Sequence, residues 1–548
     1  MPFIRLAMAQ SNPIVGDISG NLDKLVAMTE RASNNGANVV QFGEMSITGY
    51  PVEDLVTRES FVSKSEDAVS ELAATLVQKG LGEIAVVVGA PSLAGKPNGW
   101  AIANNTAFVL HQGKIVASYN KHHLPNYSVF DEYRNFVPGN DVGVFQLFGI
   151  KFALAICEDI WQAGGPVSRI SEHGTQLTLV LNGSPFEVDK DDRRLKLVRE
   201  LAKSQNTAVS YVNLVGGQDD LVFDGDSLFV TAKGELRARG EQFSEDIVLI
   251  DFDGEEATLA SEHIQTKADD DWQVWNALVL GLGDYVRKNG FKSVVLGLSG
   301  GIDSAVVATI AADAIGAENV FGISMPSKYS SDHSKDDAAI LAESLGCQFQ
   351  TIAIEPVVKA FENSLELSEL ASENLQARMR GVILMAESNT NGHLTLTTGN
   401  KSELAVGYST IYGDSVGGFA PIKDVEKTMV WQLARWRNSW ATANGQTPPI
   451  PENSITKPPS AELRPDQTDQ DSLPEYDILD AILDRYVEKR QGVSEIVNAG
   501  FNANIVEKVI SLVDRAEWKR RQGAIGPKIT GMAFGRDRRL PITNKYKG

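Results

Sequence analysis

The sequence predicts an α/β protein with two domains, and three observations lead to this fold class. Over the first half of the chain, short apolar runs alternate with segments of helical periodicity. Continuous apolar runs are typical of strands that are buried on both faces of a sheet. A polar, acidic stretch follows from Asp253 to Asp271, and the alternation then begins again. We therefore predict a first domain over residues 1–255, a junction over 256–271 and a second domain over 272–548.

Seven runs in the first domain are predicted to be strands because they are short and largely apolar. Helices are expected between them, for example over residues 21–33 and 65–78. This alternation is typical of a layered α/β domain. The predicted strands cover residues 4–9, 38–42, 84–89, 105–110, 152–156, 177–181 and 208–213.

The second domain is predicted to be a doubly wound parallel sheet. A helix over residues 272–289 precedes a strand over 293–298, a loop over 299–304 and a helix from Ala305. In such folds the ligand loop lies at the carboxyl end of a strand. The region 448–473 is rich in Pro, Ser, Asp and Gln; it suits either a disordered linker or an ordered substrate loop, and we favour the loop. Further strands are predicted over 320–324, 348–354 and 393–397.

Composition narrows the possible functions. The chain has 548 residues, a net charge of −20 and two cysteines, Cys157 and Cys347. Two cysteines argue against a disulfide framework and fit a reducing cytoplasm, where we expect the protein to be. An acidic chain is not expected to bind nucleic acid, and no apolar run is long enough to span a bilayer. A basic segment beginning at Lys519 suits either a solvated tail or a site for a phosphorylated small molecule.

Three residues of the first domain are candidates for amide chemistry. Cys157 follows the apolar run FALAI, Glu44 follows VVQFG, and Lys121 lies in YNKHHLP. A thiol attacks an amide when it is ionised and a base serves it, which assigns the nucleophile to Cys157 and the general base to Glu44. A lysine at the third position could stabilise a tetrahedral oxyanion. Singly, the three suit a packed thiol, a solvated carboxylate and a surface charge; together they indicate a thiol amidase.

The segments around these residues resemble the nitrilase, or carbon–nitrogen hydrolase, superfamily. The matching segments are QFGEMSITGYP at 41–51, YNKHHLP at 119–125 and ICEDIW at 156–161, in the order of that family. The resemblance implies an α-β-β-α sandwich. The segments LPNYSVFDE at 124–132, NGSPF at 182–186 and NLVGGQD at 213–219 are similar to the glutaminase domain of glutamine-dependent NAD synthetases. That similarity implies glutamine binding by Tyr127, Ser184 and Lys190, while Gly183 and Asp226 depart from its pattern.

The loop SGGIDS at 299–304 is a candidate phosphate site between a predicted strand and a predicted helix. Its glycines let backbone N–H groups approach phosphate, and the helix N-terminus adds partial positive charge. It differs from GxxxxGK[ST] and resembles the loop with which ATP pyrophosphatases bind pyrophosphate. The similarity to the NAD synthetases implies that Lys427 contacts ATP, with Lys423 as an alternative. The predicted ATP-binding residues are Gly297, Leu298, Ser299, Gly300, Gly301, Ile302, Asp303, Ser304, Thr398 and Lys427.

Two acids at strand ends are predicted to share Mg²⁺. Asp303 lies in SGGIDS and Glu403 lies in TTGNKSE at 397–403. Carboxylate oxygens together with substrate phosphates are the ligands that Mg²⁺ prefers. A structural alternative for Glu403 is an acid that favours the start of a helix.

Three further segments resemble the NAD synthetases: ENLQARMRG at 373–381, PSAELRPDQTDQ at 459–470 and KRRQ at 519–522. The resemblance implies that Asn374, Glu403 and Lys519 contact nicotinate adenine dinucleotide, also called deamido-NAD. It implies an ATP-dependent amidation of that dinucleotide to NAD⁺ with ammonia from glutamine. It also implies a homo-oligomer, which is a dimer or a larger assembly such as an octamer. The alternatives are another glutamine-dependent ATP pyrophosphatase that aminates a different nucleotide or carboxylate, and a regulatory module that senses glutamine.

Overall fold

A computed structural model describes residues 3–260, 265–460, 462–464 and 467–546. The chain forms two compact units, which are considered separately. The first comprises Met1–Gln218 and Val222–Asp269, and the second comprises Asp219–Leu221 and Asp270–Gly548. The division of the chain therefore falls after Asp269, near the end of the junction expected from the acidic stretch.

Two large sheets form the first unit, and all seven predicted strands are confirmed within them. One sheet has the order β15-β14-β1-β2-β3-β4-β5 and the other β13-β12-β9-β8-β7-β6, while β10 and β11 pair separately. Up to Leu259 the strands are β1 (Ile4–Gln10), β2 (Val39–Gln41), β3 (Ala85–Asn98), β4 (Ala101–His111), β5 (Lys114–Asn120), β6 (Gly143–Leu147), β7 (Ile150–Ile156), β8 (Leu177–Asn182), β9 (Ala208–Asn213), β10 (Val215–Gln218), β11 (Leu221–Asp224), β12 (Leu228–Val230), β13 (Leu236–Arg239), β14 (Asp246–Phe252) and β15 (Ala257–Leu259).

The first unit is an α-β-β-α sandwich, as the resemblance implied. Side chains from both sheets, among them Leu6 and Phe152, fill the space between the sheets. Apolar side chains of α1 and α2 cover the outer face of the first sheet, and those of α4 cover the second. Because β7, β8 and β9 are parallel neighbours, their carboxyl ends lie at one edge. The helices are α1 (Ile18–Asn34), α2 (Glu59–Gln78), α3 (Glu132–Asn135) and α4 (Lys190–Gln205).

A four-stranded parallel sheet of order β18-β17-β16-β19 lies at the centre of the second unit. The strand order reverses between β16 and β19, which is the position where doubly wound folds bind ligands. The predicted fold is confirmed. The elements are α5 (Asp270–Lys288), β16 (Val294–Gly297), α6 (Ile302–Ile315), β17 (Val320–Ser324), α7 (Asp332–Leu345), β18 (Gln348–Thr351), α8 (Glu355–Glu362), α9 (Glu369–Asn391), β19 (Leu394–Thr395), α10 (Lys401–Val406), α11 (Lys427–Ala443), α12 (Glu452–Thr456), α13 (Tyr476–Leu483), α14 (Val493–Asn498), α15 (Ala503–Arg515) and α16 (Glu517–Arg520).

The region 448–473 carries regular structure where it is described, which agrees with an ordered loop rather than a linker. It contains α12 and a 3₁₀ turn over Asp469–Asp471. Ser454 donates a hydrogen bond of 3.0 Å to the carbonyl oxygen of Gly300 in the phosphate loop. Within the predicted substrate-loop segment, Ala461, Pro465 and Asp466 lie outside the described residues. Across the described ranges, no helix is long and apolar enough to cross a membrane.

Candidate active sites

Cys157 lies at the sharp turn that follows β7. The strand ends at Ile156, and a short 3₁₀ helix over Cys157–Ile160 begins directly after it. The backbone of Cys157 has a φ of +40°, in the left-handed region that side chains other than glycine rarely adopt. Strain of this kind persists where the surrounding structure fixes it, and it is common at active sites. The thiol is buried, with 6% of the residue exposed.

Glu44 has both carboxylate oxygens fixed by hydrogen bonds. Its Oε1 accepts 2.7 Å and 2.8 Å bonds from Asn105 Nδ2 and Lys121 Nζ. Its Oε2 accepts a 2.9 Å bond from the backbone N–H of Gly183. A Cβ atom at Gly183 would lie 3.3 Å from that same oxygen and 3.0 Å from Tyr50 Cδ1, so glycine permits the close approach. Glu44 is thereby held as an acceptor with a defined direction.

Lys121 is a buried cation between two carboxylates. Only 1% of the residue is exposed, so the interpretation as a surface charge is wrong. Its ammonium lies 2.8 Å from Glu44 Oε1 and 2.8 Å from Glu132 Oε2. Burial acts to lower the pKa of Lys121, but Glu132 and Glu44 raise it above its ordinary value. Lys121 is therefore charged at neutral pH.

Glu132 is a site residue that the sequence did not single out. It begins α3 and accepts a 2.8 Å hydrogen bond from Tyr50 OH as well as the contact with Lys121. Burial raises the pKa of Glu132 to about 7, against the opposing effect of Lys121. The only signal for it was its place at the end of the segment LPNYSVFDE, which pointed to glutamine binding instead.

The thiol of Cys157 is affected by the same charges. Burial raises the pKa of Cys157 well above its usual range, Glu44 raises it further, and Lys121 lowers it. The thiol is thus protonated in the resting site, and a base must remove its proton before attack. Glu44, Lys121 and Cys157 are all buried, and the charges of Glu44 and Lys121 both act on the thiol, so the structure places the three residues in one group.

The three predicted glutamine-binding residues belong to this same unit. Tyr127 is about half exposed, and its hydroxyl lies 3.0 Å from Glu158 Oε2, next in sequence to Cys157. Ser184 is buried, with its N–H bonded to Asn213 Oδ1 at 2.9 Å. Lys190 pairs with Glu187 at 3.2 Å. Glu158 and Glu187 are thus further polar groups beside the residues that the resemblance indicated.

In the second unit the phosphate loop connects β16 to α6. Gly300 has a φ of +77°, and a Cβ atom there would lie 2.2 Å from the carbonyl oxygen of Ser334. Glycine is therefore required at this position. Within the loop, the N–H of Gly301 donates to Ser299 Oγ at 3.2 Å, and the N–H of Ser299 donates to Ser304 Oγ at 3.3 Å. The loop opens onto the N-terminus of a helix, which favours phosphate.

Asp303 and Glu403 lie at the switch point and share one cation, Lys427. Its ammonium donates to Asp303 Oδ2 and, at 3.4 Å, to Glu403 Oε1. Burial and the neighbouring Asp303 raise the pKa of Glu403 to about 8. Lys423 instead donates to the carbonyl oxygen of Ala524 at 2.7 Å. This geometry favours Lys427 over Lys423 beside the phosphate loop.

The pair of carboxylates suits Mg²⁺ chemically. Mg²⁺ commonly takes one or two protein carboxylates and completes its ligands with water and substrate phosphates. The two acids repel each other, and the ammonium of Lys427 compensates this repulsion here. A bound metal cation would reduce it in the same way. Over the part of the chain that is described, no group of three or more His, Cys, Asp or Glu side chains could hold a metal on protein ligands alone.

Asn400 and Asp480 also shape this site, and the sequence did not indicate them. Asn400 accepts from the N–H of Glu403 at 3.0 Å and donates to Asp303 Oδ1 at 2.9 Å. Asp480 accepts from the N–H of Thr428 at 3.0 Å and from Ser402 Oγ at 2.5 Å. It thereby caps α11, whose own N-cap residue makes no side-chain bond. These contacts fix α10 and α11 relative to each other.

A pocket lies beside Glu403. Glu403 and Lys519 both line it, together with Thr397 and Gly399, the neighbours of Thr398. The ammonium of Lys519 donates to the carbonyl oxygens of Gly407 and Ser409 at 2.8 Å and 2.7 Å. Asn374 accepts a 2.9 Å bond from Thr410.

Arg520 and Arg521, the two basic residues after Lys519, form ion pairs and hydrogen bonds within the protein. These internal contacts argue against an anion-binding patch made by the whole basic segment. Arg520 and Arg521 both pair with Glu517 at 2.8 Å. Arg520 also donates to the carbonyl oxygens of Ala405 and Val513. Ion pairing therefore offsets much of the positive charge that the sequence places in this segment.

Comparison with known proteins gives matches over both units. Residues 5–261 match the carbon-nitrogen hydrolase family and residues 274–523 match the NAD synthase family. The chain is 45% identical to the glutamine-dependent NAD(+) synthetase of Acinetobacter baylyi, covering 100% of this chain and 99% of that protein. It is 42% identical to the enzyme of the same name from Aquifex aeolicus, covering 99% and 100%. The solved glutamine-dependent NAD+ synthetase of Acinetobacter baumannii, in complex with ADP, has a TM-score of 0.78 and 42% identity, covering 99% of both chains.

Proposed function

Because this chain belongs to the family of glutamine-dependent NAD⁺ synthetases, we propose that its two sites carry out the two halves of one amidation. The protein is a ligase that amidates nicotinate adenine dinucleotide to NAD⁺ with ATP, using ammonia from glutamine. AMP, pyrophosphate and glutamate are released. The observation that carries the assignment is the presence on one chain of a buried Glu44, Lys121 and Cys157 group and of a phosphate loop beside Asp303 and Glu403.

In the first site, Glu44 removes the proton from the thiol of Cys157. The sulfur attacks the side-chain amide carbon of glutamine, and the negative charge that develops on the carbonyl oxygen is stabilised by the ammonium of Lys121. The C–N bond breaks as the nitrogen takes a proton and leaves as ammonia. Water then hydrolyses the resulting thioester and releases glutamate. Tyr127, Ser184 and Lys190 are proposed to hold glutamine during these steps.

Glu132 is proposed to hold Lys121 in place. With only Glu44 as a partner, the ammonium could move with the base during proton transfer. The second carboxylate, 2.8 Å away, keeps Lys121 charged and fixed. A preorganised charge of this kind lowers the barrier because it does not reorganise during reaction.

In the second site, the nicotinate carboxylate attacks the α-phosphorus of ATP, and pyrophosphate leaves. Ammonia then attacks the carbonyl carbon of the adenylate, and AMP leaves. The N–H groups of the phosphate loop and Lys427 would bind the phosphates, while Asn374, Glu403 and Lys519 would contact the dinucleotide. Asp303 and Glu403 would hold Mg²⁺, which neutralises charge on the departing pyrophosphate when it is bound.

The substrate assignment is tested by pyrophosphate release. The protein with ATP and Mg²⁺ should release pyrophosphate with nicotinate adenine dinucleotide and not with aspartate or with other nucleotides that carry a carboxylate. Glutamine and ammonium should each then support NAD⁺ formation. Release with a different acid, and none with the dinucleotide, would favour another glutamine-dependent ATP pyrophosphatase.

Two coarser properties complete the proposal. The cysteine content favours a reducing compartment, and we propose a cytoplasmic enzyme. A homo-oligomer is proposed from the family resemblance, and light scattering on the purified full chain would measure its mass.

A further inference from the structure

We propose that Asp159 is a positioning residue of the glutaminase site, which holds the Lys121 segment and the Cys157 turn in one arrangement. The inference rests on the proposed function of that site and adds a residue that does not contact glutamine. Asp159 lies in the 3₁₀ turn that begins at Cys157, two residues beyond the nucleophile. Its side chain is directed away from solvent, with 1% of the residue exposed.

The two carboxylate oxygens of Asp159 bind two different chain segments. Oδ1 accepts hydrogen bonds of 3.0 Å and 2.8 Å from the backbone N–H groups of His122 and His123, the residues directly after Lys121. Oδ2 accepts a 3.0 Å bond from the N–H of Ile156, the residue directly before Cys157. It also accepts a 2.9 Å bond from Tyr119 OH at the end of β5. One buried carboxylate therefore connects the segment that carries Lys121 to the segment that carries Cys157.

These contacts favour an ionised carboxylate. Three of the four donors are backbone N–H groups, which can donate but cannot accept. A buried carboxylate without such bonds would be costly, since burial penalises the charged form. Burial raises the pKa of Asp159, while the N–H groups of His123 and Ile156 lower it. The bonds thus compensate the charge and, in return, fix the position of the backbone on both sides.

The site has a specific need for such a connection. The ammonium of Lys121 is fixed by Glu44 and Glu132, but neither of these residues bonds the turn that carries Cys157 in the described contacts. The strained backbone of Cys157, with its φ of +40°, must be held by its surroundings. Asp159 provides this restraint from inside the turn. A shift of about 1 Å between reacting groups can cost about 10²-fold in rate.

The test replaces Asp159 with asparagine in the full chain. An amide keeps one acceptor oxygen but turns N–H donors toward the N–H groups on the other side, so one of the two connections is lost. Asp159→Asn should lower kcat for glutamine hydrolysis about 10²-fold and leave KM for glutamine unchanged. Ammonium-driven NAD⁺ synthesis should stay at the rate of the unmodified protein.

A second readout reports the geometry around the thiol. The charged groups that act on Cys157 are Glu44, Lys121, Glu158 and Glu132. Alkylation of Cys157 by iodoacetamide, followed by mass spectrometry, gives its pH profile. If Lys121 moves away from the thiol in Asp159→Asn, the profile should shift to higher pH. Unfolded protein would instead expose the thiol, increase the amount alkylated and move the profile to lower pH, toward that of a free cysteine.

Two variants keep the test decisive. Tyr119→Phe removes one of the four bonds and should give a smaller loss of kcat and a smaller shift in the same direction. Asp141→Asn, at an exposed position of the same unit, should match the unmodified protein. A folded Asp159→Asn variant with normal kcat and an unshifted alkylation profile overturns the proposal. If that variant does not fold, a Tyr119→Phe variant with normal kcat and an unshifted profile overturns it. Absence of glutamine hydrolysis in the unmodified protein would instead count against the proposed function.

Discussion

Asn400 donates a 2.9 Å hydrogen bond to Oδ1 of Asp303, which links the segment after β19 to the phosphate loop after β16. The same side chain accepts from the N–H of Glu403 and so forms the N-cap of α10. Asp303 and Glu403, which are proposed to hold Mg²⁺, are therefore linked by one amide as well as by Lys427. Parallel strands on either side of the switch point bring these groups to one edge of the sheet.

Replacing Asn400 by alanine should weaken adenylation. The loss of an N-cap costs about 1 kcal/mol in stability, and Asp303 loses the partner that orients its Oδ1. We expect slower pyrophosphate release with ATP, Mg²⁺ and the dinucleotide, at a normal rate of glutamine hydrolysis. Asn391→Ala at the exposed end of α9 serves as the control. Normal pyrophosphate release in Asn400→Ala would show that the amide has no role in orienting Asp303.

Removing the charge of Lys121 should affect stability as well as turnover. Lys121→Met leaves Glu44 and Glu132 buried without their shared cation, and breaking such a pair costs about 3–5 kcal/mol. We expect a lower Tm together with loss of glutamine hydrolysis.

The double variant Lys121→Met with Glu132→Gln separates the two effects. Neutralising Glu132 removes one of the two buried carboxylates that have lost their cation, so Tm should recover in part, while hydrolysis should remain absent. Recovery of hydrolysis in the double variant would contradict the electrostatic role of Lys121.

The stability of the first unit should depend on Glu132 in a defined direction with pH. The pKa of Glu132 is raised to about 7 in the folded protein, against about 4.3 for an unfolded glutamate. The folded state therefore binds more protons between these values, and its contribution to stability is lost as pH rises through about 7. The Tm of the unmodified protein relative to Glu132→Gln should fall between pH 5 and pH 8. A constant difference would mean that Glu132 is ionised throughout this range.

Lys519 and Arg521 should differ in their effect on the dinucleotide. Lys519 lines the pocket beside Glu403, whereas Arg521 is paired with Glu517 outside that set of lining residues. Lys519→Ala should raise the apparent KM for the dinucleotide, and the effect should shrink at high salt because charge contacts are screened. Arg521→Ala should leave this KM unchanged. Equal effects of both variants would indicate a diffuse basic patch instead of one contact.

The positions of the catalytic groups could be predicted where they follow apolar strands. Glu44 and Cys157 come directly after runs that are buried on both faces, and the phosphate loop follows β16 in the same way. The proximity of Asp303 and Glu403 could be inferred because both follow parallel neighbouring strands of one sheet, whereas Glu44 and Cys157 follow strands of two different sheets. The strands β12 to β15 were not predicted. β12 and β15 have three residues each and β13 alternates apolar with polar residues, so their apolar signal is weak, whereas β14 contains the continuous apolar run IVLI and has the same signal as the strands that were predicted.

Burial of charge could not be predicted from the sequence. Lysine is rarely buried without partners, and the partners of Lys121 are 77 and 11 residues away in the chain. Glu132 acquires its role through its contact with Lys121, and Asn400 through its contact with Asp303, 97 residues away in the chain. Arg520 and Arg521 differ in that their partner is close in sequence. Both form ion pairs with Glu517, although the sequence had left their positive charge available for a ligand.

The separation of the two chemistries is tested most directly by Cys157→Ala. NAD⁺ formation from the dinucleotide, ATP and Mg²⁺ should be measured with saturating glutamine and, separately, with saturating ammonium. The account predicts no synthesis with glutamine and a normal rate with ammonium, because the second site keeps all of its residues. Glutamine-driven synthesis at the rate of the unmodified protein, or loss of the ammonium-driven reaction in a folded variant, would contradict it.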